Sequence, residues 1–331
     1  MGILDIDYDN LKVTKTNIKD RTVYMIDDFY KYPNCVANLC DERGTLDADI
    51  NECMYPGKRF SLTEKVSKFE LQSHLIQMRN LLSQHGFDAS KFYEGVEMSG
   101  VMSVYDDAIN SEKWRCVDED RGTLITHDDT RWTDKPSSSA INNAHVDAEP
   151  TADDHNILAC TCYLSKNIHG GTGLYYNNQL KTHSSGFGFY SNCLKQLLTE
   201  LNHCPDEDKI KTVISHRNDI LKKQVPVRSD ILMNDSNEHW ELLYKFPMRF
   251  NRMVVYEGDI YHAMYIQDVD FWKTQRRITS NYCIPTYWDT KNKKIDRIYF
   301  DFFDFFYELD FNDMPIQHIA SVVGSATEFF Q

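Results

Sequence analysis

The sequence predicts a mainly β fold with helical decoration, a double-stranded β-helix or jelly roll, and three observations carry that expectation. Short apolar runs bounded by turn residues recur at 22–29, 96–105, 252–257 and 276–284, which is strand patterning. Residues 63–85 carry apolar side chains at helical spacing, with Gly86 just after them. A charged stretch with Leu194, Leu197, Leu198 and Leu201, again at helical spacing, divides the earlier strands from the later ones. The expected organisation is a single domain over 1–331. An N-terminal strand and helices fill 1–95, and the jelly-roll core occupies 96–190 and 246–290. A helical insertion takes 191–245, and an aromatic tail takes 291–331.

Each element has a local reason. Residues 22–29, TVYMIDDF, read as a strand entering a turn, and Tyr32-Pro33-Asn34 opens a short helix running to about residue 42. The segment Met54 to Arg59 holds Pro56-Gly57 and reads as turn chemistry. The helix over 63–85 is expected to bury Val66, Phe69, Leu71, Leu75, Met78, Leu81 and Leu82. Residues 106–140 form the longest polar stretch, which reads equally as an active-site cover or a solvated loop. Another strand is expected at 185–190. After RMVVYE at 252–257, Gly258-Asp259 make a turn, and residues 260–266 present His262. The tail IYFDFFDFFYELDF is aromatic and acidic, and is expected to cover the barrel or to form a homodimer contact.

Composition bounds the function class. Fifty acidic residues against 36 basic ones leave −14, which argues against a nucleic-acid or anionic-membrane partner and also suits plain solubility. Nine cysteines include no CxxC, and Cys160 and Cys162 share one face of an apolar strand, so buried free thiols in a reducing compartment are expected. The start, MGILDIDYDN, lacks the regions of a secretory signal, and Ile6 breaks the myristoylation pattern. No apolar run approaches the roughly 18 residues of a spanning helix. The expectation is a cytoplasmic protein with no membrane partner.

The chemistry concentrates at 141–176. On a strand, His145 and Asp147 of His145-Val146-Asp147 point to one side and offer a nitrogen and a carboxylate oxygen to a common spot. A second histidine from a distant strand completes the two-His, one-carboxylate set that leaves positions open on ferrous iron, and His262 is the candidate. His127-Asp128-Asp129 is a competing HxD without the downstream pieces. His216 and His239 are rivals within the charged insertion, while His155, His169 and His183 sit near the Gly-Gly turn and at most line an entrance. No P-loop, GxSxG, HExxH or paired CxxC occurs.

In order, His145-Val146-Asp147, Tyr163-Leu164-Ser165, Gly170-Gly171, Leu174-Tyr175-Tyr176, His262 and the Arg276-Arg277 pair resemble the core of the iron(II)/2-oxoglutarate-dependent oxygenases, in the branch of the prolyl hydroxylases and their small-molecule relatives. That resemblance covers roughly 140–180 and 250–285. It implies a cupin-like barrel, with Fe(2+) held by His145, Asp147 and His262, and 2-oxoglutarate and O2 as cosubstrates. An arginine would anchor the distal carboxylate of 2-oxoglutarate. Arg277 shares its strand face with Thr279 and Asn281, whereas Arg276 shares its face with Ile278, Ser280 and Tyr282. A hydroxyl beside a bidentate guanidinium suits a carboxylate, which favours Arg277 with Thr279. Tyr163 is a further candidate for the same carboxylate, or else a core aromatic.

The implied activity is hydrogen abstraction from a C–H bond, with succinate and CO2 released. The substrate expected is a small carboxylate-bearing, amino-acid-derived metabolite, held by Arg115, Arg131, Lys135 or Arg276. The outcome would be hydroxylation or oxidative ring closure of the kainoid-synthase type, and Asp147 argues against halogenation. A peptidyl or protein hydroxylase, a non-catalytic jelly-roll binding protein and a zinc hydrolase remain as other readings.

Overall fold

Period-2 alternation along the central strands sets the architecture, because each strand sends alternate side chains to different layers. The computed structural model describes residues 2–40, 58–93, 99–105, 116–117, 124–125, 144, 147, 155–166, 168–178, 181–184, 199, 203, 212, 215, 235–237, 240–265 and 276–287. Among these residues the strands are β1 (Lys12–Ile18), β2 (Arg21–Asp27), β3 (Lys58–Ser61), β4 (Ser99–Tyr105), β5 (Cys116–Val117), β6 (Leu124–Ile125), β7 (His155–Tyr163), β8 (Gly171–Asn177), β9 (Trp240–Pro247), β10 (Arg252–Glu257), β11 (His262–Tyr265) and β12 (Arg277–Tyr287). Their pairings are antiparallel. The larger sheet has seven strands in the order β1-β2-β10-β7-β12-β4-β3, the smaller has three in the order β11-β8-β9, and β5 pairs with β6 alone. The protein is mainly β, as expected.

Two cores show how the layers stack. Met253 and Val255 of β10, Leu158, Cys160 and Cys162 of β7, and Tyr282 and Ile284 of β12 join one core with the helix α2 (Lys68–Gln84). Val254 and Tyr256 of β10, and Ala159 and Tyr163 of β7, face the other way and meet Leu174, Phe246 and Met264 of the smaller sheet. The order is therefore helix, seven-stranded sheet, three-stranded sheet. A strand buried on both faces reads as a continuous apolar run, which is why RMVVYE of β10 was legible at once.

Helix α2 starts where Ser67 Oγ accepts the Glu70 amide, and it buries Leu71, Leu75, Met78, Leu81 and Leu82. The expected stripe needs two corrections. Phe69 is 85% exposed, because two positions before Leu71 places it about 200° around the helix, on the solvent side. Val66 is buried but precedes the helix. The first helix, α1 (Pro33–Asn38), is also shorter than the expected run to residue 42.

The insertion expected over 191–245 ends earlier than that. Residues 240–245 are strand, as part of β9, although 199, 203, 212 and 215 are helical. The alternation of β9 is broken by a bulge opposite Leu174 and Tyr175, so its apolar positions fall out of strict period 2. Its Lys245 also lies over the Tyr265 ring at 3.8 Å, so a residue that reads as solvated is in fact a packing partner. Strand β1 was not anticipated, β3 begins inside the segment read as turn, and the short β5–β6 pair lies within the polar stretch 106–140. The strand expected at 185–190, the aromatic tail and its dimer contact lie outside the described residues. Among the described residues no helix is long and apolar enough to cross a membrane. Cys160 and Cys162 are buried free thiols, and Cys35 is an exposed one.

The helix-side core contains one titratable group that sets a pH dependence. His74 of α2 is buried against Tyr30, Phe29 and Tyr282, with ring centroids 5.7, 5.8 and 4.8 Å away. Burial disfavours its charged form and lowers its pKa to about 4. The unfolded chain takes up this proton near pH 6.5 and the folded chain does not, so stability is lost as pH falls from 6.5 towards 4. Relative to wild type, His74→Phe is expected to gain about 2 to 3 kcal/mol between pH 7 and pH 4.5 in urea unfolding. Parallel pH profiles would remove His74 as the source.

Candidate functional site

The Gly-Gly turn aligns the smaller sheet. Gly170 and Gly171 have φ of 85° and 151°, and a Cβ on Gly171 would stand 1.8 Å from the Phe246 carbonyl oxygen, so no side chain fits. From there β8 places Thr172 and Leu174 on the face towards the larger sheet, where the Tyr163 hydroxyl donates to Thr172 Oγ1 at 2.7 Å. Leu164 N donates to Ile278 O at 2.9 Å, and Ser165 Oγ donates to Arg276 O at 2.8 Å while accepting from Ile278 N at 2.7 Å. The Tyr163-Leu164-Ser165 segment therefore fixes the start of β12.

That start decides between the two arginines. Arg276 is exposed, whereas Arg277 is only 2% exposed and points between the sheets. Its Nη2 makes one long hydrogen bond, to Gly171 O at 3.4 Å, and its guanidinium carbon lies 5.7 Å from the Tyr163 ring centroid. Arg277 Nε has no hydrogen-bond partner, and no carboxylate among the described residues pairs with the guanidinium. Thr279 is fully buried on the same face and accepts from Asn281 Nδ2 at 3.1 Å. Asn281 also donates to Ser103 Oγ at 3.0 Å and accepts from Thr161 Oγ1 at 3.0 Å. The floor beyond Arg277 is thus polar, uncharged and internally satisfied.

Asp147 and His262 come together although far apart in sequence. His262 begins β11, is 5% exposed and faces the larger sheet beside Tyr256, with ring centroids 4.8 Å apart. Its Nδ1 lies 2.9 Å from Ile260 O, and since a carbonyl only accepts, the proton sits on Nδ1. Its Nε2 then faces Asp147 Oδ2 at 3.3 Å. A lone pair and a carboxylate at that distance require a proton or a metal cation between them. Burial opposes protonation of His262, but the Asp147 charge and hydrogen bond, with the Ile260 carbonyl, outweigh it and raise the pKa. Asp147 sits in a bend, its amide donating to Gly258 O at 2.7 Å.

His145 lies outside the described residues, as do His127, His216, His239, Arg115, Arg131 and Lys135. Its neighbour Ala144 is buried with Tyr175, Trp240 and Ala263 on the outer side of the smaller sheet. Among the described residues no group of three His, Cys, Asp or Glu side chains is placed to hold a metal ion. His155 is the first residue of β7, and His183 lies 2.8 Å from Asp20.

No linear pattern singles out the cluster of Arg21, Glu257 and Asp259. Arg21 Nη2 pairs with the fully buried Asp259 at 2.9 Å, and its Nη1 pairs with Glu257. Gly258-Asp259 was legible as a turn, but nothing linear links it to a residue more than 230 positions earlier.

A family described only as a family of unknown function (DUF6445) matches residues 140–284, from just before His145 into β12. No curated protein matches the chain.

Proposed function

We propose that this protein is an iron(II)- and 2-oxoglutarate-dependent oxygenase, its ion held by His145, Asp147 and His262. The observation that carries the reading is Arg277. A buried guanidinium with one long hydrogen bond and, among the described residues, no acid paired with it is costly unless an anionic ligand completes it. A dicarboxylate would satisfy that cation with one carboxylate and, with its other end, a metal ion held at the His262–Asp147 pair. The donor set fits ferrous iron, since imidazole and carboxylate suit it, and the Ile260 carbonyl, by holding the proton on Nδ1, leaves the His262 Nε2 lone pair for the ion. Asp147, present where halogenating relatives have no carboxylate, favours oxygenation. On this reading the two stacked sheets are the halves of a cupin-like double-stranded β-helix.

Ferrous iron with 2-oxoglutarate and O2 supplies, when bound, the oxidising power to break an unactivated C–H bond, releasing succinate and CO2. The chain's own residues provide position and dryness. Arg277 and Thr279 bind and orient the distal carboxylate, and the Tyr163 hydroxyl, tied to Thr172, closes that end. His262 offers Nε2 because Nδ1 is held by Ile260. The apolar residues Ala159, Leu174, Val254 and Met264 keep water from the space between the sheets. The substrate is a small carboxylate-bearing metabolite derived from an amino acid, and the product is an alcohol or a newly closed ring, as in kainoid-type cyclisation.

The test combines binding with turnover. 2-Oxoglutarate is expected to raise Tm only when Fe(2+) or Mn(2+) is present, and aerobic samples with iron are expected to release succinate. Absence of any shift would favour a jelly-roll binding protein. Hydrolytic activity with zinc alone, without succinate, would favour a zinc hydrolase.

A further inference from the structure

One turn holds both of the described candidate ligands. Between β10 and β11, Gly258 O accepts the Asp147 amide at 2.7 Å, and Ile260 O takes His262 Nδ1 at 2.9 Å. The same turn is tied to its surroundings on each side. Gly258 N donates to Ile157 O at 2.8 Å and Tyr261 N to His183 O at 3.0 Å, while Ile260 N closes the turn on Glu257 O at 3.1 Å. Because Asp147 is held at Gly258 and His262 at Ile260, the shape of this turn sets where the two stand relative to each other.

The turn is fastened from outside by one side chain. Arg21, the first residue of β2, extends its fork across it, with Nη1 on Glu257 and Nη2 on Asp259 Oδ2 at 2.9 Å. The planar guanidinium fixes the spacing of the two carboxylates as a lysine ammonium cannot. Asp259 is fully buried, so its charge depends on a cation within the fold. Asp20, the neighbour of Arg21, lies 2.8 Å from His183 Nε2, and the His183 carbonyl takes the Tyr261 amide, so the β1–β2 hairpin also meets the segment that follows the turn.

We infer that Arg21 is a positioning residue for the metal site, setting the Asp147–His262 spacing through the Glu257–Ile260 turn. This rests on the metal reading above. Arg21 touches neither candidate ligand and acts only through the turn.

The test uses the full-length apo protein, with Mn(2+) binding followed by electron paramagnetic resonance of the free ion and Co(2+) binding followed by visible absorption. Arg21→Ala is expected to weaken Mn(2+) binding about tenfold or more and to change the Co(2+) band intensity at saturation. Arg21→Lys is expected to recover part of the affinity. Arg249→Ala, which removes an exposed ion pair with Asp27, is expected to bind like wild type. A purely structural role would lower Tm yet leave the saturated Co(2+) spectrum unchanged, and that result would overturn the inference. Should Arg21→Ala not fold, Glu257→Gln removes one arm of the fork at a partly exposed carboxylate. A few-fold loss of Mn(2+) affinity supports the clamp, and unchanged affinity overturns it. Wild type that binds neither ion would overturn the metal reading, and the clamp with it. Normal wild-type binding with normal binding in the variants would overturn the clamp alone.

Discussion

Arg277→Leu is expected to stabilise the apo protein while removing its response to 2-oxoglutarate. Both effects come from one feature, a buried guanidinium that the described residues leave without an acid. Replacing such a charge with an apolar side chain of similar reach relieves desolvation, a gain of about 1 to 3 kcal/mol in urea unfolding. The same change leaves the dicarboxylate without its partner, at a cost of roughly 2 to 5 kcal/mol, about 30-fold to a few thousandfold in apparent affinity. Arg276→Leu removes an exposed side chain, so both measurements should stay near wild type. A normal 2-oxoglutarate requirement in Arg277→Leu would mean that the buried cation serves some other anion. Loss in Arg276→Leu instead would reverse the assignment of the pair.

His262→Ala is expected to abolish iron-dependent succinate release, by about a thousandfold or more, as for groups that must act together at one centre. The Mn(2+)-dependent rise in Tm should vanish with it. The apo fold should survive, because Asp147 is already partly solvated and can hydrate when its partner is gone. His145→Ala should behave the same way. Turnover retained by either variant would show that another residue holds the ion. If apo His262→Ala unfolds, the histidine is a core residue before it is a ligand, and the metal titration must be read on His262→Gln.

The pieces legible in the sequence share a physical character: their patterns are local. Strands β10 and β12 show in residue type alone, because an apolar run buried on two faces and an alternating strand each leave a periodic trace. The face shared by Arg277, Thr279 and Asn281 followed from period 2, and all three lie on one side of β12. Strand β9 was hidden because its bulge shifts the alternation and its charged residues suggested a helix. Phe69 departs from the expected stripe because apolar character alone does not carry the angle around the helix.

By itself the sequence determined the mainly β class, the Gly-Gly turn, the nearness of His145 to Asp147 along the chain, and two arginines of which one had to face inwards. Only the tertiary structure decided that Asp147 meets His262, that Arg277 is the buried cation, and that Arg21 reaches the turn joining them. Each depends on pairing between distant segments: β11 beside β8 in the smaller sheet, and β12 beside β7 and β2 beside β10 in the larger. Pairing between residues far apart in sequence is set by whole-sheet packing and leaves no periodic trace in any one segment.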